Sequence, residues 1–281
     1  MANINVAKYS GFCFGVKRAV NMALEESKKS DNVIMLGDIV HNEHVIRKID
    51  EAGVKVKNKL ESSGDPGTLL LRAHGAVPKV YKEAGKLDYK VVDATCPLVL
   101  EIHEIVREMN KEGYRIVVIG DYGHDEVVGI SGQIEKAIVI AKPDDVKDKM
   151  PKKIRKLGVV VQSTQNIDNA RKIIAELIPY CQELKFVDTI CKPTKLYQAE
   201  IRKMPHENDV MIIVGSFTSA NTKRLTEISK ELNPRSYQVE SAEDLMKAWF
   251  DDVENIGVTA GASTPDWIIE EVVNKLGELA S

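Results

Sequence analysis

Residues 91–97 read V-V-D-A-T-C-P, an apolar run that ends in a cysteine and a proline. Proline suits the first turn of a helix, where its missing N–H would have no partner anyway. Beyond it Ile102, Ile105, Val106 and Met109 recur at helical spacing on one face. The spacing therefore predicts Cys96 at the carboxyl end of a buried strand and the amino end of a helix. Backbone N–H groups and the helix dipole favour a thiolate there. The phrase recurs as V-D-T-I-C-K-P at 187–193, with Cys191 in the same place. A looser version opens the chain: N-V-A, a turn at Ser10 and Gly11, Cys13, and a helix with Val16, Ala19, Val20, Ala23 and Leu24 on one face. One strand–cysteine–helix corner is used three times, and the fold has to accommodate all three.

The segments between the corners repeat as well. The first unit runs through a strand at 33–37, the loop D-I-V-H-N-E, a helix at 45–52, a short strand near 54–56, a strand at 68–71, the loop R-A-H-G, a helix, and the strand before Cys96. The second has a strand at 116–120, the loop D-Y-G-H-D-E, a strand at 137–141, a strand at 158–161, the loop Q-S-T, a helix, and the strand before Cys191. The third has a strand at 210–215, the loop S-F-T-S-A-N, strands at 237–239 and 257–260, and the loop G-A-S-T-P, and then lacks its last strand. The amino-terminal strand at 4–7, which leads to Cys13, supplies it. The cysteine-to-cysteine intervals are then 83, 95 and, tail to head, 103 residues. Such units imply an α/β fold of three small pseudo-threefold-related domains, 14–96, 97–191, and 192–281 completed by 1–13, in a cloverleaf around a central cavity. The segment E-S-S-G-D-P-G at 61–67 reads as a turn.

The composition, 43% hydrophobic and 29% charged over 281 residues, is that of a globular enzyme. A net charge of −3 without a polybasic block argues against a nucleic-acid or membrane-surface binder. No signal peptide and no bilayer-spanning apolar run is evident, and four cysteines are too few for a disulfide scaffold. A cytoplasmic location is expected.

Aligning the units puts His41, His124 and Ser219 in equivalent loops after the first strand, and His74, Thr164 and Ser263 in equivalent loops after the third. Ligands of open α/β sheets sit at such carboxyl-end loops. Three thiolates suggest a metal. Zinc normally comes with close C-x-x-C spacing, which is absent. Iron–sulfur clusters are held by thiolates, usually four, so three would leave one iron of a four-iron cube open to substrate. Buried structural cysteines are the plainer alternative, and Cys181, outside any repeat position, reads as one. The loops carry histidines and neutral donors in place of a lysine–arginine cage. His41, His74, His124, Ser219, Asn221, Ser263 and helix amino termini would make an anion pocket suited to phosphate or diphosphate. Glu126, two residues past His124, is a candidate proton donor whose pKa should rise beside such a ligand. As a helix-start carboxylate it could equally be structural. His44, His103 and His206 lie outside these loops and read as structural or surface residues.

The phrases G-F-C-F-G-V-K-R-A-V, V-H-N, R-A-H-G, D-A-T-C-P-L-V, G-H-D-E-V-V-G, Q-S-T, T-I-C and G-A-S-T-P-D-W resemble, in order and over nearly the whole chain, the LytB (IspH) family of 4-hydroxy-3-methylbut-2-enyl diphosphate reductases. The resemblance implies a 4Fe–4S cluster ligated by Cys13, Cys96 and Cys191 with one open iron. It implies substrate binding by His41, His74, His124, Ser163, Ser219, Asn221 and Ser263, and proton delivery by Glu126 with His124 and Ser163. Ser163 stands where the family usually has threonine, Ala220 where many members have a second serine, and Lys192-Pro193 departs from the usual T-I-C-x-A-T. The implied reaction is the last step of the methylerythritol phosphate route to isoprenoids. It removes a hydroxyl with two electrons and two protons, giving isopentenyl and dimethylallyl diphosphate, with the open iron as Lewis acid. No convincing flavin or nicotinamide motif is present, so an outside donor such as ferredoxin or flavodoxin is expected. Two other readings are a cluster-dependent hydro-lyase, which would call for several arginines where only Arg72 lies in a candidate loop, and a redox or iron sensor, which would leave Glu126 and the anion pocket without a role.

Overall fold

Val33–Leu36, Arg115–Ile119 and Val210–Val214 are aliphatic runs with little polar alternation, the pattern of strands covered on both faces. In the computed structural model, which describes residues 2–61, 66–150 and 153–279, each is an inner strand of a four-stranded parallel sheet. The turn expected over 61–67 lies at 62–65 outside the described residues. In every sheet the first strand pairs with the second on one side and the third on the other, and the fourth lies beyond the third. The three units thus share one topology as well as one order of elements. The third sheet borrows its fourth strand as expected: Asn3–Val6 pairs in parallel with Asn255–Ala260, from Asn3 opposite Asn255 to Val6 opposite Val258.

One expectation is corrected. The strands leading to the cysteines, Asn3–Val6, Lys90–Asp93 and Cys181–Phe186, are edge strands, half-buried or exposed along their lengths. A strand added last to a parallel sheet has one hydrogen-bonded neighbour, so a short V-V or N-V run is only half covered there.

The described chain forms two compact bodies. One comprises Met1–Lys17, His41–Ile46 and Lys192–Ser281 and contains the third sheet; the other comprises Arg18–Val40 and Arg47–Cys191 and contains the first two. In the second body the sheet built on Arg115–Ile119 has two cores. On one face Val117, Ile119, Val159 and Val161 pack with Ile173 and Leu177 of the helix Ile167–Leu177. On the other, Ile116, Val118 and Val160 pack with Ile102, Val106 and Met109 of the helix Pro97–Lys111. Full burial of such a side chain contributes about 1.5–3 kcal/mol, so these layers hold the strand ends, and the loops after them, in place. In the other body the third sheet is likewise covered on both faces, by Ile268, Val272 and Leu276 on one and by Tyr197, Ile201, Leu225 and Ile228 on the other. No helix among the described residues is long and apolar enough to cross a membrane.

Candidate active site

Each cysteine is tethered in the same way. Its N–H donates to a carbonyl of the third-strand loop in the same unit: Cys13 to Ala262 (3.1 Å), Cys96 to Ala73 (3.0 Å) and Cys191 to Ser163 (3.0 Å). Each of these carbonyls belongs to the residue just before the loop's repeat-equivalent polar residue. Neighbouring parallel strands here extend their pairing past their ends, so the corner and the adjacent loop form one unit. None of the four cysteines is in a disulfide, and all are half-buried. Cys96 is the N-cap of Pro97–Lys111. Burial pushes its thiol up, and the N–H groups of Leu98 and Val99 only offset this, so the helix start alone does not favour the thiolate as the sequence suggested. The negative charge of Glu126 also raises it and the Arg18 guanidinium lowers it, which brings the acid into the electrostatic surroundings of this corner.

The second body assembles Cys96, Cys191, His74, His124, Glu126 and Ser163. His124 caps the helix Asp125–Ser131, its Nδ1 accepting from the Glu126 N–H at 3.2 Å. That bond puts the proton of a neutral imidazole on Nε2, which makes His124 a donor toward a ligand. The His74 and His124 rings meet edge to face, 5.5 Å between centroids. Glu126 is 3% exposed, and both its oxygens are used: Oε1 accepts from the Ser163 N–H at 2.6 Å and Oε2 from Ser163 Oγ at 2.8 Å. Ser163 is in turn the residue tethered to Cys191. Arg72 and Asp125 pair at 2.5 Å, joining the His74 loop to the His124 helix. Such a partly exposed pair contributes only about 0–1 kcal/mol, and its effect is to hold the two loops in register.

Behind the His74 loop sits His103, on the buried face of Pro97–Lys111 with Val99, Ile102, Val106 and Met109. The loop lies so close that a Cβ on Gly75 (φ +82°) would come 2.7 Å from His103 Cε1. Burial lowers the His103 pKa from 6.5 to about 4, helped by the Arg107 charge. The folded state therefore resists a proton that the unfolded chain accepts, so stability is whole above about pH 6.5 and falls as pH drops from 6.5 toward 4. The loss sums to roughly 3 kcal/mol. Urea unfolding at pH 7 and pH 4.5 should show it, and His103→Gln should flatten the difference; an equally steep variant would assign the acid sensitivity to another group.

The first body assembles Cys13, His41, Ser219, Asn221 and Ser263. Ser219 caps the helix Ala220–Leu232, accepting from the Thr222 N–H at 3.3 Å and keeping its own proton to donate. Asn221 is 4% exposed, yet neither its Oδ1 nor its Nδ2 has a hydrogen-bond partner among the described residues. A buried amide left so costs about 1–3 kcal/mol for each unmet group, a sign of a position kept for a ligand. Gly261 packs against this helix start, where a Cβ would lie 2.0 Å from Thr222 Oγ1. Ser263 Oγ donates to the His41 carbonyl at 3.2 Å, and Ser216 Oγ donates to Glu43 at 3.1 Å. The His41 segment is thereby fastened to two loops of the third sheet. In the second body, Cys181 opens an edge strand, its Sγ near the carbonyls of Leu177 and Ile178, away from the corner at Cys191.

Two features went beyond the sequence reading: His103, read as structural or surface, is buried behind the His74 loop, at helical spacing from Val99 and Val106, and the Arg72–Asp125 bridge is announced by no local pattern.

Parallel α/β sheets with thiol corners and polar carboxyl-end loops, one set holding a buried carboxylate, are the architecture of an α/β enzyme. The model of the LytB protein family matches residues 4–277. The chain belongs to the LytB family. It is 40% identical over 278 residues to 4-hydroxy-3-methylbut-2-enyl diphosphate reductase of Geobacter metallireducens, covering 99% of this chain and 98% of that one. Identity to the reductase of the same name from Aquifex aeolicus is 40% over 284 residues, with 99% and 97% covered. Among solved structures it is similar to an (E)-4-hydroxy-3-methyl-but-2-enyl diphosphate reductase described as the terminal enzyme of the non-mevalonate pathway (41% identity, TM-score 0.72, 99% and 100% covered). It is also similar to the E-1-hydroxy-2-methyl-but-2-enyl-4-diphosphate reductase from Plasmodium falciparum (30% identity, TM-score 0.92, 98% and 88% covered).

Proposed function

We propose that this chain is a 4-hydroxy-3-methylbut-2-enyl diphosphate reductase, converting that allylic alcohol diphosphate to isopentenyl and dimethylallyl diphosphate with release of water. The observation that carries the reading is the buried Glu126 held through both oxygens by Ser163, between the Cys96 and Cys191 corners. Three α/β domains, 14–96, 97–191 and 192–281 with 1–13, in a cloverleaf around one cavity, are part of the proposal. So is a cytoplasmic setting, which keeps thiols reduced. Cys13, Cys96 and Cys191 fit an iron–sulfur group: three partly accessible thiols, outside any disulfide, on identically tethered corners. We assign them a 4Fe–4S cluster with one open iron. When bound, the cluster supplies the electrons and a Lewis-acidic iron.

The other steps belong to side chains. His41, His74, Ser219, Asn221 and Ser263 bind the diphosphate, and His124 donates to it through Nε2. Binding energy remote from the reacting carbon then orients the alcohol. Glu126, in its protonated form, gives its proton to the departing hydroxyl, which leaves as water. The Ser163 N–H and Oγ hold the carboxyl aimed for that transfer and return it to the same position afterwards. Two electrons and two protons balance the loss of the hydroxyl: one proton leaves in the water, and the second is added to the allylic carbon to give the product.

Anaerobic protein with reduced methyl viologen and the diphosphate should consume two electrons per molecule of product. A hydro-lyase would consume none, and a sensor would form no product. Asn221→Ala, His74→Ala and Ser263→Ala should each weaken diphosphate binding about ten-fold or more while iron content is kept, since a hydrogen bond to a charged group is worth about 1.5–3 kcal/mol. Calorimetric titration measures this; equal binding of the alcohol lacking its diphosphate would contradict the pocket.

A further inference from the structure

Thr95, the residue before Cys96, is wholly buried, and each of its polar groups is tied down. Its N–H donates to Asp93 Oδ1 at 2.9 Å, and its hydroxyl donates to the same oxygen. Asp93 Oδ2 accepts in turn from the Tyr81 hydroxyl at 2.7 Å. The Thr95 methyl lies against the His74 loop, where a Cβ on Gly75 would meet it at 3.2 Å. The remaining group, the Thr95 carbonyl, accepts from Arg18 Nη1 at 3.0 Å. Arg18 comes from the helix Phe14–Ser27 and is half-buried. The peptide it grips is the one that joins Thr95 to Cys96. The guanidinium is therefore anchored on the backbone that carries the thiol.

Among the described residues no carboxylate pairs with Arg18. Arg72 and Arg107 of the same body differ in this, pairing with Asp125 and Glu104. A guanidinium drawn partly out of water costs free energy unless negative charge faces it, and a carbonyl supplies only a partial charge. The negative group that Arg18 favours is the Cys96 thiolate. Three thiolates outweigh the positive charge of an oxidised four-iron core, and each added electron makes the site more negative. Net charge at the site is one of the quantities that set the potential of such a cluster. We propose, on the basis of the cluster assignment above, that Arg18 is a positioning residue that sets the reduction potential. It fixes an uncompensated positive charge beside the Cys96 corner and so makes the bound cluster easier to reduce.

The test is a dithionite titration of anaerobic holoprotein without substrate, followed by the electron paramagnetic resonance signal of the reduced cluster. Arg18→Gln keeps a donor for the Thr95 carbonyl and removes the charge. It should shift the reduction equilibrium toward the oxidised form roughly ten-fold, which for one electron is about 59 mV more negative. Arg18→Lys keeps the charge and should stay within about two-fold of the unaltered protein. Arg107→Gln is the control, the same loss of charge farther along the helix Pro97–Lys111, and it too should stay within about two-fold. Iron and sulfide content, measured on every sample, separates a loosened corner from a retuned one. An unchanged potential in Arg18→Gln with its iron complete, or an equal shift in Arg18→Lys or Arg107→Gln, would overturn the role of the charge. If Arg18→Gln does not hold iron, the lysine variant decides. Iron and potential kept there support the charge, and iron lost in both makes Arg18 a structural support and overturns the proposal. Unaltered protein without iron and sulfide would overturn the cluster assignment itself, and the role of Arg18 with it.

Discussion

Glu126→Gln should leave iron and sulfide content unchanged and diphosphate binding near normal, while turnover falls roughly 10²-fold or more. The amide oxygen can still accept from the Ser163 N–H, now met at 2.6 Å, and the hydroxyl of Ser163 can rotate to accept from the amide nitrogen. Shape and burial persist, and the one property removed is the transferable proton. Single-turnover measurement with pre-reduced protein isolates this step from electron supply. Glu43→Gln is the paired control. Its carboxylate accepts from Ser216 Oγ and Thr218 Oγ1, so it ties loops of its own body together. It should lose far less. Near wild-type turnover in Glu126→Gln would mean that the proton reaches the hydroxyl by another path.

Cys13→Ser, Cys96→Ser and Cys191→Ser should each yield protein depleted of iron and sulfide and without the brown colour of the unaltered protein. Serine keeps the backbone bonds to Ala262, Ala73 and Ser163, so the corner stays in place and only the soft ligand is lost. Cys181→Ser, at the opposite end of its edge strand, should remain brown. Iron and sulfide analysis of anaerobically purified variants decides the matter. Equal loss in all four would indicate a general effect on folding, and a colourless, zinc-loaded and active unaltered protein would end the iron–sulfur assignment.

The repeat made the fold legible. With Cys96 and Cys191 in matching phrases, the missing last strand of the third unit points back to residues 4–7, and the strand lies one residue earlier, at Asn3–Val6. Edge and centre were not legible, because V-V-D at 91–93 reads the same whether one neighbour or two covers it; only the strand order decides. The thiolate expectation at Cys96 failed for a related reason. A helix start is visible in sequence, whereas the burial that opposes it arises from residues far along the chain. The tie from Glu126 to Ser163 joins positions 37 residues apart and belongs to no local pattern. The burial of His103 was open to reading from its helical spacing, but a lone histidine at such spacing suits a core and a surface equally.

The loan of Asn3–Val6 to the third sheet sets a timetable for biogenesis. This strand leaves the ribosome about 250 residues ahead of its partner Asn255–Ala260. At about 5–20 residues per second the interval is on the order of 10–50 s. During it the sheets behind Cys96 and Cys191 can form, whereas the Cys13 corner has neither its strand partner nor the Ala262 carbonyl that tethers it. A nascent chain thus offers two organised thiols and one loose one. On the proposed three-thiol assignment, loading is therefore late, because segments made about 250 residues apart must meet before it can occur.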